Sequence, residues 1–196
     1  RIELRPITLL FGPNSGGKTT FLRSVGLAQV MFQAGLFVTA QTARLSPADA
    51  IYTHFPALET RQQGRLAEEA TRLRDIFLRA TAHSFVLLNE TFSSTASGEA
   101  LYLAQDMLCG LRVIGARAIF ATHLTELPAR IPDMAAAVEG DSGFISLVAG
   151  VRLTDDGQAV PTFEIAPGQP LGRSYAQDIA RRHGISLEQI LQARRG

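Results

Sequence analysis

The chain has 196 residues, with 19 Lys+Arg against 18 Asp+Glu and a formal net charge of +1, which argues against a polybasic nucleic-acid tail or an acidic solvating segment. Hydrophobic residues at 46% and charged residues at 19% suit one folded domain with a sizeable core. The lone Cys109 excludes an internal disulfide, and His54, His83, His123 and His183 lack zinc-ligand spacing; with no apolar run long enough to span a bilayer, a soluble, cytoplasmic protein without membrane association is expected.

The apolar run Ile7–Phe11 leads into Gly12–Thr20 (GPNSGGKTT), after which Phe21, Leu22, Val25, Ala28, Val30 and Met31 recur at helical spacing as far as Gly35. This predicts strand, glycine loop and helix. The strand begins almost at once and the chain starts at Arg1 rather than Met, so we read it as a fragment of something longer. Leu36–Pro56 reads as loops with short strands, one at Ala50–Thr53. From Gln63 to Ala82, the residues Leu66, Ala70, Leu73, Ile76, Phe77 and Ala80 share one face. Arg65, Glu68, Glu69, Arg72, Arg74 and Asp75 lie mostly on the other, which predicts an amphipathic helix.

Phe85–Leu88 reads as a strand buried on both faces that ends at Asn89-Glu90, next to the glycine-loop strand. A Ser/Thr-rich loop, Thr91–Ser97, precedes a helix through Ala100, Leu101, Leu103, Ala104, Met107, Leu108 and Leu111, ending near Gly115. Ala118–Ala121 is another buried-type strand, ending at Thr122-His123. Such strand-then-helix passes imply a mostly parallel sheet flanked by helices, an α/β fold. Phe144–Leu153 and Ala159–Ile165 flank the hairpin signal Asp155-Asp156-Gly157. Ser174–Arg182 reads as helix to Gly184, and Ser186 with Gln189 has capping-box spacing for a last short helix.

Gly12, Gly17, Lys18 and Thr19 match the pattern G-x-x-x-x-G-K-[ST] between a buried strand and a helix, where its mechanism requires it. Glycines let successive N–H groups face inward, and the helix start adds partial positive charge toward the same point. Phosphate oxygens would sit there, with Lys18 on the β- and γ-phosphates and the Thr19 hydroxyl on Mg²⁺. Asn89 closes a neighbouring strand where an acidic residue usually supports the metal shell; its amide accepts a hydrogen bond but carries no charge, so weaker metal affinity is expected. Glu90 is the candidate base for the water attacking the γ-phosphate, and His123 the candidate donor to that phosphate or water. The other histidines are assigned surface or packing roles, and Cys109 a place in the core.

Read together, GPNSGGKTTFLRSVGLAQVMFQAGLFVTA, VLLNETFSSTASGEALYLA and IFATHLTELP resemble the C-terminal ATPase domain of the MutS family of DNA mismatch-repair proteins. GRSYAQDIARRHGISLEQILQAR is similar to the family's GKSYG-type segment, and the resemblance runs from about Arg5 to Arg195. It implies an ABC-like P-loop NTPase over residues 1–172 and a C-terminal helical segment, 173–196, at the dimer contact. It also implies ATP and Mg²⁺ as cofactors, with Gly12, Pro13, Asn14, Ser15, Gly16, Gly17, Lys18, Thr19 and Thr20 around the nucleotide. Thr19 and Asn89 stand at the metal, while Lys18, Glu90 as acid and His123 as switch histidine carry catalysis. Two such domains would form a homodimer, and mismatched or otherwise distorted DNA would bind through regions outside this fragment.

This sequence departs from the family at several points: Asn89 replaces the usual Asp, Phe92-Ser93-Ser94-Thr95 stands for GRGT, and Gly64-Arg65-Leu66 stands for Ser-Thr-Phe. These changes point to a divergent branch. Uncharged Asn89 and the altered Gly64-Arg65-Leu66 also motivate an alternative, a nucleotide-gated dimerisation module with little hydrolysis. A transporter-type ATPase would carry an LSGGQ-like signature, which this sequence lacks.

Overall fold

The computed structural model describes residues 2–4, 6–13, 16–55, 65–154, 159–170, 184 and 187–194. The strand that feeds the glycine loop, β1 (Ile7–Phe11), is buried throughout. Its Ile7, Leu9 and Phe11 enter one apolar cluster and Leu10 the other, the two-residue alternation of a strand covered on both faces. After β2 (Ile51–His54), the strands β3 (Phe85–Asn89) and β4 (Arg117–Ala121) divide in the same way. Val86, Leu88, Ala118 and Phe120 face the first cluster, and Phe85, Leu87, Ile119 and Ala121 the second.

With β5 (Phe144–Leu153) and β6 (Ala159–Pro167), these strands form a six-stranded sheet in the order β2-β3-β4-β1-β5-β6. Neighbours from β2 to β5 pair in parallel, and β6 returns antiparallel to β5. The hairpin turn expected at Asp155-Asp156-Gly157 lies outside the described residues, but the strands flanking it pair as that signal requires. One expectation is corrected by the strand order: β3 is not next to β1, because β4 lies between them. Two buried strands alike in composition cannot be ordered by their apolar runs, since either could take the place beside β1.

On the second-cluster face lies α1 (Lys18–Gln33), which buries Leu22 and brings Gly26 against the sheet. A Cβ at Gly26 would stand 2.6 Å from Leu87 Cδ1, so the glycine permits the close approach of helix and strand. The first-cluster face is covered by α2 (Arg65–Arg79), α3 (Ser97–Ile114) and α4 (Leu127–Ala137). α3 ends where expected, with Gly115 in the left-handed region donating back to Leu111 and Arg112 carbonyls.

α2 is rotated from the face its apolar residues predict. Glu69, Leu73 and Ile76, at i, i+4 and i+7, form the buried stripe, while Leu66 and Ala70 are exposed. A carboxylate occupies a core-facing position because it has a hydrogen-bond donor to meet there, described below. α4 escaped the sequence reading because it contains prolines. Pro128 falls at the helix start, where its missing N–H is harmless, but Pro132 lies inside and disguises the pattern. The expected helix over Ser174–Arg182 lies outside the described residues; the last short helix is present as α5 (Leu187–Ala193). Among the described residues no helix is long and apolar enough to cross a membrane.

Candidate functional site

Parallel strands bring their C-terminal ends to one edge of the sheet, where an open α/β sheet offers its crevice. β1 delivers Gly12 to that edge, β3 delivers Asn89 and Glu90, and β4 delivers Thr122 and His123. Gly12 has φ 143°, and a Cβ there would stand 2.7 Å from Ala149 Cβ on β5, so the chain can leave β1 in this direction only as glycine. Gly17 caps α1 at φ 85° without a side-chain hydrogen bond, and the helix has no acidic residue in its first turn. The first N–H groups of α1 are therefore available to an external anion. Gly16 donates to the Pro13 carbonyl at 2.9 Å, closing the turn below them. Asn14 and Ser15 lie outside the described residues, and Thr20 is exposed on the first turn of α1.

The Lys18 side chain is only 2% exposed. Its ammonium donates to the Gly12 carbonyl at 2.8 Å and the Pro13 carbonyl at 3.1 Å, and it stands 3.1 Å from Glu90 Oε1. Three acceptors match the three donors of an ammonium, which is how a buried cation is tolerated. Glu90 then turns its other oxygen, Oε2, to His123 Nδ1 at 2.8 Å. Burial pushes the Glu90 carboxyl up, but the His123 hydrogen bond and the Lys18 charge outweigh it and hold the group below the usual carboxylate range. On His123 the hydrogen bond that it donates to Glu90 dominates over burial and raises the imidazole above its ordinary value. The three side chains thus form a continuous line of polar contacts, with the half-exposed His123 at its outer end.

Thr19 Oγ1 donates to Asn89 Oδ1 at 3.0 Å, reaching across β4 to the end of β3. The hydroxyl keeps its lone pairs, and the amide oxygen adds a neutral acceptor beside it. No group of three or more His, Cys, Asp or Glu side chains placed to hold a metal occurs among the described residues. That donor set fits Mg²⁺ held chiefly through phosphate and water, since this ion keeps much of its hydration and needs few protein ligands.

A family model described as MutS domain V matches residues 8–195 of the chain. The chain belongs to the MutS domain V family. Its α/β architecture, with a mostly parallel sheet flanked by helices, is the P-loop ATPase fold of that family. It is 37% identical over 194 residues to a protein named Endonuclease MutS2 from Thermus thermophilus, covering 97% of this chain and 24% of that protein. It is 35% identical over 198 residues to a DNA mismatch repair protein MutS from Acaryochloris marina, covering 98% of this chain and 21% of that one. A MutS of Streptococcus pneumoniae is 30% identical over 190 residues, with 95% and 21% covered. The chain therefore spans about a quarter or less of the curated relatives it matches.

Within this MutS domain V, the turn after Glu90 has a conformation and anchors that the sequence does not indicate. Glu90 has φ 49° and Phe92 φ 65°, both in the left-handed region although neither is glycine. Phe92 thus combines a backbone conformation that favours glycine with a large side chain. Such conformations cost on the order of 1–3 kcal/mol each and persist only where surroundings enforce them. The buried Phe92 ring, the Glu90 N–H bond to the Ala121 carbonyl at 2.8 Å, and a Phe92 N–H bond to Glu69 Oε2 at 3.2 Å supply that enforcement. His54, buried at the end of β2, places Nδ1 3.2 Å from Thr91 Oγ1 in the same turn. Its imidazole is shifted down by burial, then by the Arg72 charge, which favours the neutral ring that this packing role needs.

Phe163 on β6 is 70% exposed with φ 59°, and the space a Cβ would take at Gly17 lies 3.3 Å from its Cδ1. An exposed aromatic beside a glycine loop has no sequence signal, because the two are joined only by the hairpin fold. His83 is exposed, and His183 lies outside the described residues. Cys109 is half-buried, and burial, followed by the Asp106 charge, pushes its thiol up and away from reactivity.

Proposed function

We propose that this chain binds MgATP along Gly12–Thr20 and hydrolyses it to ADP and phosphate. Lys18 lies at the β- and γ-phosphates, the N–H groups of the loop and of α1 cradle them, and Phe163 offers a flat apolar surface to the base. Mg²⁺, held through Thr19 and Asn89, supplies neutralisation of phosphate charge when bound. Glu90 orients the attacking water, and His123, sharing a hydrogen bond with it, reports on the γ-phosphate beside it. The observation that carries the reading is the Glu90 carboxylate held between Lys18 at 3.1 Å and His123 at 2.8 Å, at the mouth of a glycine loop.

Residues 1–172 act as the ATPase unit, and 173–196 lie at the contact between two copies that close together when ATP is bound. The relatives' names, an endonuclease and DNA mismatch repair proteins, support DNA as the object of that closure. We assign mismatched or distorted duplex to parts of the protein beyond this chain, in keeping with the chain's near-neutral formal charge. Steady-state phosphate release from the full-length protein tests the reading. Turnover that disappears in Lys18→Ala is expected; turnover that survives Lys18→Ala assigns it to something other than this loop.

A second reading has one observation in its favour. The Thr19–Asn89 pair carries no charge where a carboxylate would strengthen the metal site, which suits a nucleotide-gated module that hydrolyses little. ATP binding without Lys18-dependent phosphate release is its signature.

A further inference from the structure

Glu69 is 6% exposed, on the face of α2 that packs against the sheet, where Leu73 and Ile76 complete an otherwise apolar stripe. A buried carboxylate is a poor way to fill a helix face, since a hydrophobic residue of similar volume often serves stability as well or better. What the carboxylate does is accept the Phe92 N–H through Oε2 at 3.2 Å. That amide belongs to the left-handed turn whose first member is Glu90, and a buried N–H left without an acceptor would carry a desolvation cost.

The turn is held on its other sides by backbone and side chain alike. The Glu90 N–H donates to Ala121 at the end of β4, Thr91 Oγ1 meets His54 at the end of β2, and the Phe92 ring sits in the core. Of these hydrogen-bonding anchors, Glu69 is the one that comes from a helix on the face of the sheet. We propose that Glu69 is a positioning residue for Glu90: acting from α2 through the Phe92 amide, it fixes the strained turn that aims the Glu90 carboxylate at Lys18 and His123. A shift of α2 is thereby transmitted to Glu90. The proposal rests on the reading of Glu90 given above, and Glu69 itself touches none of the reacting atoms.

The test compares Glu69→Ala with Glu69→Gln in the full-length protein, the glutamine retaining an oxygen that can accept the Phe92 N–H. Residue-resolved hydrogen–deuterium exchange should show the Phe92 amide exchanging at least about 10-fold faster in Glu69→Ala and close to the wild-type rate in Glu69→Gln. Maximal phosphate release should fall about 10- to 100-fold in Glu69→Ala with nucleotide Kd within about 2-fold of wild type, because a displacement on the order of 1 Å is enough for that loss. Glutamine should restore most of it. Unchanged exchange at Phe92, a parallel loss of nucleotide affinity, or a glutamine variant as impaired as the alanine one each overturns the proposal. Absence of turnover in the wild-type protein overturns the hydrolytic reading instead, and the Phe92 exchange then decides the role of Glu69 in the turn by itself.

Discussion

Lys18 Nζ stands 3.1 Å from Glu90 Oε1, an ion pair that ties the first residue of α1 to the turn after β3. Lys18 is almost wholly buried while Glu90 keeps partial access to solvent. Removing the carboxylate leaves the ammonium on its two carbonyl acceptors, Gly12 and Pro13, which keep it in place for phosphate. Glu90→Gln should therefore bind nucleotide with an affinity near wild type and lose turnover by about 10²- to 10⁴-fold, the usual contribution of a positioned base. Single-turnover hydrolysis alongside equilibrium nucleotide titration separates the two quantities. Unchanged turnover removes Glu90 from its assigned role.

The bond between Glu90 and His123 should be visible in pH dependence. His123 has a raised folded pKa, so its contribution to stability is fully present below the ordinary value of 6.5 and is lost as pH rises through the raised one. Glu90 has a lowered folded pKa, so its contribution is present above the ordinary 4.5 and is lost as pH falls through the depressed value. The melting-temperature advantage of wild type over His123→Asn should be clear near pH 6 and fade in more alkaline buffer. In Glu90→Gln, the His123 ring titrated by NMR should move down toward its ordinary value.

Asn89→Asp adds a charge beside the Thr19 hydroxyl, which Asn89 contacts at 3.0 Å. An extra carboxylate near the metal position should lower the Mg²⁺ concentration needed for half-maximal turnover several-fold, on the order of 1 kcal/mol in metal affinity. A Mg²⁺ titration of phosphate release measures it, and an unchanged midpoint means that Asn89 does not support the ion.

Gly12→Ala places a methyl group 2.7 Å from Ala149 Cβ, at a φ of 143° that alanine rarely adopts. Overpacking and backbone strain together should destabilise the fold by about 2 kcal/mol, read as a lower urea midpoint with an unchanged slope. Because the Gly12 carbonyl accepts from Lys18, nucleotide affinity should fall as well.

Phe163→Ala removes the exposed ring beside Gly17. The loss of a stacking surface should weaken ATP binding by about 10-fold, of the order of 1 kcal/mol, while Phe163→Tyr preserves it. Comparing ATP with inorganic triphosphate in calorimetry isolates the effect, since the base-free ligand should not distinguish the variants.

Much of this arrangement is legible in the residues because strands and loops report themselves locally. Ile7–Phe11 with the glycines after it, Phe85–Leu88 before Asn89-Glu90, and Ala118–Ala121 before Thr122-His123 each carry their element and its functional end in one short run. What those runs do not carry is order across the sheet. The insertion of β4 between β1 and β3 depends on how crossovers pack, and so does the reach of Thr19 to Asn89. The charge on Glu69 predicts a solvent-facing position, charge being the usual mark of exposure, and its distant partner, the Phe92 amide, explains the exception. The hidden helix α4 is a case of local rule against context: Pro132 argues against a helix that packing on α3 nonetheless sustains. Phe163 meets Gly17 through a hairpin, a long-range relation with no short motif.

The bond from the Glu90 N–H to the Ala121 carbonyl fastens the end of β3 to the end of β4, two residues before His123. Glu90 and His123 are consequently mounted on a common rail. Inserting or deleting a residue at one strand end would cut that rail, whereas exchange of either side chain by itself would leave the linkage intact.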